Sequence, residues 1–212
     1  MSFWHVAQAD FTGRLYSVSG TFNPQTTDLS RGLHHFKEGG PIKNKKDADW
    51  LGIAGANHWG LSKKSFEERI EWAYNEGKHI AIDVAGNPEG YVGLWSKADE
   101  PFQFFAWCLE WNQYHEEGFG FISRHPVLLD GSNNGFQHLA ALTLDKNLAI
   151  SVNLLASEKP QDLYDDIRTN LILNLKNSDS NYAKDWFNHK ELITRKLVKK
   201  PVMMIPYSGT VY

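Results

Sequence analysis

A chain of 212 residues that is 42% hydrophobic, with eight Trp and twelve Phe, can bury a real core, which excludes a disordered segment. A net charge of −3 gives no global signature of a nucleic-acid binder, and a single cysteine, Cys108, excludes an internal disulfide and fits a reducing compartment. The most apolar window, residues 104–109, is far too short to cross a membrane; Met1 to His5 lacks the basic and apolar runs of a signal peptide; no Cys/His cluster has zinc spacing.

Asp10 to Ser19 reads as a turn and then a strand, although Leu15 and Val18 do not alternate cleanly. Phe22-Asn23-Pro24-Gln25 is a loop, extended into Pro24. His34 and His35 are adjacent, so one face cannot present both, and they read as surface or core histidines. Gly39-Gly40-Pro41 marks a break. A helix is predicted over Asp47 to Asn57, with Trp50, Ile53 and Ala54 to one side. Ser65-Phe66-Glu67-Glu68 resembles a capping box opening a helix that ends near Gly77. Gly86 to Gly90 is turn-rich. Pro101 can start the next helix and Gly118 can end it. Phe102, Phe105, Trp107, Trp111 and Tyr114 lie nearly all round that helix, which predicts a buried element; a base-stacking platform is the lesser alternative.

The rest of the chain is organised around residues His125 to His138. The apolar run Val127-Leu128-Leu129 has the length of a buried strand and ends on Asp130, then Gly131 and Ser132. Ser132 suits a helix N-cap, with Phe136, Leu139, Ala140 and Leu144 near helical spacing. A carboxylate at a strand tip can hold a hard cation such as Mg2+, and Gly131 permits close approach. Asp130-Gly131 also reads as a plain strand-ending turn, which the residues alone favour. A long helix is predicted over Gln161 to Leu175, opened by Pro160, with Tyr164, Ile167, Leu171 and Leu175 on one face. Asn177 to Asn181 is a polar loop, and a last helical region starts around Tyr182. From His189 to Lys200, Lys190, Arg195, Lys196, Lys199 and Lys200 stand against one acid, Glu191. Such a run meets phosphates or is a solvated helix face, and charge alone favours the latter. Arg195 and Lys199 share a helix face at a spacing of four. Pro201 and Pro206 demand a kink or a boundary beyond them.

Two blocks, Asp130-Gly131-Ser132-Asn133-Asn134-Gly135-Phe136-Gln137-His138 and Arg195…Lys199…Tyr207, resemble motifs A and B of the single-subunit DNA-directed RNA polymerases of phage and mitochondrial type. The family pattern is Asp-Gly-Ser-x-x-Gly-x-Gln-His, then Arg-x-x-x-Lys and a tyrosine usually followed by glycine; Ser208 stands at that glycine. The segment from Asp10 is similar to the family's Asp-x-Arg-Gly-Arg-x-aromatic run, with Thr12 at the first arginine and Arg14 and Tyr16 at the matching later positions. The resemblance implies that Asp130 bridges two Mg2+ ions and that the Gly131 carbonyl adds an oxygen ligand. It implies that Arg195 and Lys199 grip the triphosphate, with Lys199 able to protonate pyrophosphate. Tyr207 would sense the ribose 2′-hydroxyl, Tyr164 would lie close to the nucleotide pocket, and Arg14 and Tyr16 near the template and hybrid. From the residues alone Tyr164 and Tyr16 also read as core, and Arg14 as a turn-flanking surface arginine.

The implied fold is α+β and mostly helical, part of a right-hand polymerase. Residues 1–38 would be palm, 39–119 a helical palm insertion, 120–146 the palm strand and helix with motif A, and 147–212 the start of the fingers with motif B. Such a partial sheet would have unpaired edges. The implied activity is DNA-templated RNA synthesis by two-metal nucleotidyl transfer, with DNA template, RNA product and ribonucleoside triphosphates as partners and no membrane. The family takes its second metal carboxylate from a downstream His-Asp-Ser block, and this chain has no His-Asp dipeptide. The isolated chain is therefore expected to be inactive unless a second polypeptide completes the polymerase. The alternative is a non-catalytic nucleic-acid or nucleotide-binding remnant. The expected compartment is the cytoplasm of a phage-infected host cell, ahead of a mitochondrion.

Overall fold

The computed structural model of the chain describes residues 3–11, 13–129, 133–157, 160–199 and 201. They fall into two units, residues 1–129 and 130–212. Helices dominate both, with two small two-stranded sheets in the first, so the α+β, mostly helical expectation holds.

In the first unit, strand β1 (Ala7–Ala9) pairs antiparallel with β2 (Leu15–Ser17), Gln8 opposite Tyr16. Asp10 closes the turn: its carboxylate accepts from the Arg14 amide at 3.0 Å, and Gly13 takes the left-handed φ of 76° that the turn requires. Next come α1 (Asp28–Gly32), β3 (Gly40–Pro41), α2 (Lys45–Trp59) and α3 (Phe66–Trp72). A π-helical turn (Ala73–Gly77) carries α3 directly into α4 (Lys78–Gly86); α5 (Val92–Trp95), α6 (Pro101–Glu117) and β4 (Ile122–Ser123) complete the unit.

Local chemistry explains most of these boundaries. The capping box of α3 is complete: Ser65 Oγ accepts from the Glu68 amide, and the Glu68 carboxylate accepts from the Ser65 amide. Pro101 opens α6 and Gly118, at φ 77°, ends it. The helix does not stop at Gly77, however. That glycine is buried and helical, and a Cβ there would lie 3.0 Å from the Trp72 ring. It is small for packing, not for capping.

Helix α6 is the centre of the core. Phe104, Trp107, Cys108 and Trp111 are fully buried along it, against α2 and α4. The indole N–H of Trp107 donates to the Leu51 carbonyl at 2.8 Å and that of Trp111 to the Ala73 carbonyl at 3.2 Å, so both polar atoms are satisfied. Gly55 lets α2 approach, since a Cβ there would come within 2.0 Å of the Trp107 ring. These buried aromatics are core, not a base-stacking platform. On α2, Ile53 and Ala54 are buried as expected, but Trp50 stays 39% exposed with its ring against Phe66.

Strand β3 pairs with β4, Gly40 opposite Ser123, so the helical stretch between them begins and ends at one place. The expected strand at Val127 to Leu129 is a correction. Those residues form no strand, and Leu129 is 80% exposed. Pro126 has no amide to give a ladder, and the short paired segment is Ile122–Ser123 instead.

The second unit holds α7 (Asn134–Thr143), α8 (Lys146–Ser151), α9 (Leu163–Lys176) and α10 (Asn181–Asn188), then a 3-10 turn at Lys190–Leu192 and helical residues 195–199. Its core is Phe136, Ala140, Ala149, Val152 and Leu163, with Leu148 and Ile167 against it. Leu139 and Leu144, expected on the same face, are exposed. Asp145 caps α8 through the Asn147 and Leu148 amides. Helix α9 starts at Leu163 and not at Gln161, because the Asn153 side chain holds both the amide and the carbonyl of Gln161. The expected cap Ser132 lies outside the described residues.

Candidate functional site

Three residues singled out in the sequence meet in the second unit. The helical residues 195–199 come after Thr194, whose hydroxyl accepts from the Leu197 amide at 3.2 Å. Val198 and the nearby Ile193 are buried, which leaves Arg195 and Lys199 together on another face. The Arg195 guanidinium carbon lies 5.2 Å from the centre of the Tyr164 ring, and Lys199 Nζ lies 5.7 Å from it. Tyr164, on the first turn of α9, is only 4% exposed. Its phenol is pushed up by burial, against the pull of the neighbouring Arg195 charge. Tyr164 is therefore both a buried residue and the bed on which two cations rest.

A fourth residue joins them that the sequence did not single out. Asp162 Oδ2 accepts from Arg195 Nε at 2.5 Å. An acid just before a helix reads as a cap, yet Asp162 makes no side-chain capping bond to α9. Its partner stands 33 positions away, which no local pattern reveals.

A guanidinium held by its Nε and an ammonium beside it, both over an aromatic face, form an arrangement with the charge and donors that can attract a polyanion. The basic run as a whole is not one patch: Lys190 lies over Phe187 at 5.1 Å, while Arg195 and Lys199 share Tyr164.

The other candidates fall elsewhere. In the first unit, Arg14 is exposed at the hairpin turn and Tyr16 is 43% exposed, so Tyr16 is not a core residue. Asp130, Gly131 and Tyr207 lie outside the described residues. Among the described residues no group of three or more His, Cys, Asp or Glu could hold a metal ion.

The first unit also contains a polar chain that leads from half-buried Arg31 and Glu100 to buried His58 and His125, which sequence spacing could not reveal because its members run from residue 31 to 125. Arg31 Nη2 and His58 Nδ1 donate to the two oxygens of Glu100 at 2.9 and 2.7 Å. His58 Nε2 faces His125 Nε2 at 3.4 Å. The Glu100 carboxyl is held below its usual range mainly by the His58 hydrogen bond. Burial, with His58 and His35 nearby, pushes His125 down to about 3. The Glu110 carboxylate meanwhile accepts from the Ser123 hydroxyl and the Arg124 and His125 amides. These bonds fix the segment that precedes Asp130 in the chain.

The sequence profile of DNA-dependent RNA polymerase matches residues 42–212. The mitochondrial DNA-directed RNA polymerase of Mus musculus is 37% identical over 217 residues, which cover 99% of this chain and 18% of that protein. A probable DNA-directed RNA polymerase of Neurospora crassa is 36% identical over 215 residues, 98% of this chain and 22% of its own length. T7 RNA polymerase of Escherichia phage T7 is 37% identical over 161 residues, 76% of this chain and 18% of its own. The chain thus spans about a fifth of the length of these relatives.

Proposed function

The chain belongs to the DNA-dependent RNA polymerase family, and from that premise we propose that it contributes the triphosphate grip and one metal carboxylate to DNA-templated RNA synthesis. The observation that supports this best is the meeting of Arg195 and Lys199 over Tyr164. In nucleotidyl transfer the 3′-hydroxyl of the growing RNA attacks the α-phosphate in line, and pyrophosphate leaves with gathering negative charge. Arg195 offers its terminal N–H pair to phosphate oxygens, and Lys199 supplies a point charge and a proton for the leaving group. Tyr164 keeps both cations placed before the substrate arrives. Tyr207 reads the 2′-hydroxyl, and Arg14 and Tyr16 lie along template and hybrid.

The Asp130 carboxylate, with the Gly131 carbonyl, is a hard oxygen donor set that suits Mg2+. Bound there with a second ion, Mg2+ would activate the attacking hydroxyl and stabilise the leaving oxygen. One carboxylate does not make a two-metal site, so the second comes from elsewhere in the polymerase, in this chain's continuation or in a second polypeptide, and the chain alone is inactive. In this reading residues 1–38 and 120–146 are palm, 39–119 is an insertion on it and 147–212 begins the fingers. The meeting of Gly40 and Ser123 supports an insertion, whose ends must lie together. DNA template, RNA product and ribonucleoside triphosphates are the partners, in the cytoplasm of a phage-infected cell. No helix of the described residues is long and apolar enough to cross a membrane.

The test is extension of a primed template with Mg2+ and labelled ribonucleotides, using the chain with a fragment that supplies the remaining palm and fingers. Synthesis should appear in the mixture, vanish with Asp130→Ala and fall about a hundredfold with Arg195→Ala. No synthesis from folded chain and a competent companion would replace this reading with the non-catalytic nucleotide-binding remnant.

A further inference from the structure

We propose that Asp162 is a positioning residue for the triphosphate: it fixes the Arg195 guanidinium over Tyr164 so that the terminal nitrogens meet the phosphates. The proposal rests on Arg195 being a triphosphate ligand. Three observations lead to it. The bond is made through Arg195 Nε at 2.5 Å, so Nη1 and Nη2 keep the paired fork that phosphate oxygens accept. The guanidinium is fixed on a second side by the buried Tyr164 ring, 5.2 Å away. Finally, the Arg195 side chain is still 39% exposed while Asp162 is 20% exposed, so the cation faces outward and the carboxylate stands behind it. An arginine with two of its contacts already made loses less freedom when a phosphate binds.

This arrangement makes a prediction whose sign is unusual. A carboxylate near a polyanion repels it, so its removal should tighten binding on charge alone. If Asp162 positions Arg195, its removal weakens binding instead.

The experiment titrates ATP and, separately, sodium tripolyphosphate into the 212-residue chain by calorimetry, for the unaltered protein, Asp162→Ala, Asp162→Glu, Arg195→Ala and the Asp162→Ala/Arg195→Ala pair. The Arg195 Nε–H signal is followed by NMR in parallel, and circular dichroism checks folding. Asp162→Ala should weaken both ligands about tenfold, the worth of one charge-assisted hydrogen bond. It should shift the Nε–H signal and have no further effect once Arg195 is gone, while Asp162→Glu restores part of the affinity. Should Asp162→Ala fail to fold, the isosteric Asp162→Asn replaces it, with a smaller loss in the same direction because its amide oxygen still accepts from Nε–H without the charge. Tighter binding, or an effect that persists without Arg195, overturns the positioning role and leaves the triphosphate reading intact. No binding by the unaltered chain, or binding indifferent to Arg195→Ala, removes that reading and the proposal with it.

Discussion

Helix α6 is capped by a residue that lies far from it in sequence, and this gives a sharp test of how the first unit is held together. Glu100, at the N-cap position, makes no side-chain capping bond. Asp28 of α1 does that work: Oδ2 accepts from the Phe102 amide at 2.7 Å, and Oδ1 from the Gln103 amide at 3.2 Å and the Gln103 side chain at 3.0 Å. Gly32, on the same short helix, makes the approach possible, since a Cβ there would lie 2.7 Å from the Phe102 backbone. Asp28→Ala removes a carboxylate from two backbone donors at a helix N-terminus, one exposed at Phe102 and one part-buried at Gln103. An ordinary cap is worth about 1 kcal/mol and a hydrogen bond to a charged group about 1.5–3 kcal/mol. Allowing for partial solvent access, the loss should be about 3 kcal/mol. Thr27→Ala is the control, because its hydroxyl caps only α1 and at 3.4 Å; it should cost about 0.5 kcal/mol. Urea unfolding followed by tryptophan fluorescence reports the right unit, since all the tryptophans except Trp186 lie before residue 130. Equal losses for the two substitutions, or less than about 1 kcal/mol for Asp28→Ala, would refute the view that α6 is anchored from α1.

Further outcomes can be checked on the same protein. Gly55→Ala forces a methyl to within 2.0 Å of the fully buried Trp107 ring and should cost about 3 kcal/mol in the same urea titration. His125 is held neutral when folded, at about 3, against an ordinary value of 6.5. The unfolded chain therefore binds the extra proton first, and stability should fall as pH drops from 6.5 toward 3, by up to about 1.4 kcal/mol per pH unit. The depressed Glu100 carboxyl adds loss in the same direction below 4.5. His125→Gln should remove the upper part of that slope, and an unchanged slope would show that another group sets it. Tyr164→Phe keeps the ring face and should leave ATP affinity within about twofold, whereas Tyr164→Ala removes a cation–π bed worth about 1 kcal/mol for each cation and should weaken it clearly by calorimetry.

What the amino-acid pattern reveals and what it conceals divides along sequence distance. The box at Ser65 to Glu68, the Pro101 start and the Gly118 stop are decided within four residues, and each appears where the pattern puts it. Gly77 shows the limit. A capping glycine and a packing glycine look alike until the Trp72 and Trp107 rings are seen beside it. The run Val127 to Leu129 shows it again, because apolar residues at strand length need a partner ladder that Pro126 works against.

The candidate site has the same division. Spacing puts Arg195 and Lys199 on one helix face, and the motif resemblance points to Tyr164, but neither says that these meet. The meeting depends on Ile193 and Val198 turning inward and on α9 starting at Leu163, and the second results from Asn153 holding Gln161. Asp162 is invisible for a stronger reason. Next to a helix start, a carboxylate has a sufficient local explanation, and only the failure of that explanation exposes the long-range one. The same logic applies to Asp28, which sits in the first turn of α1 yet serves α6. In both units an acid that seems to belong to its own helix is committed to a distant element. Asp28 and Asp162 are thus tertiary ties that a place beside a helix start conceals.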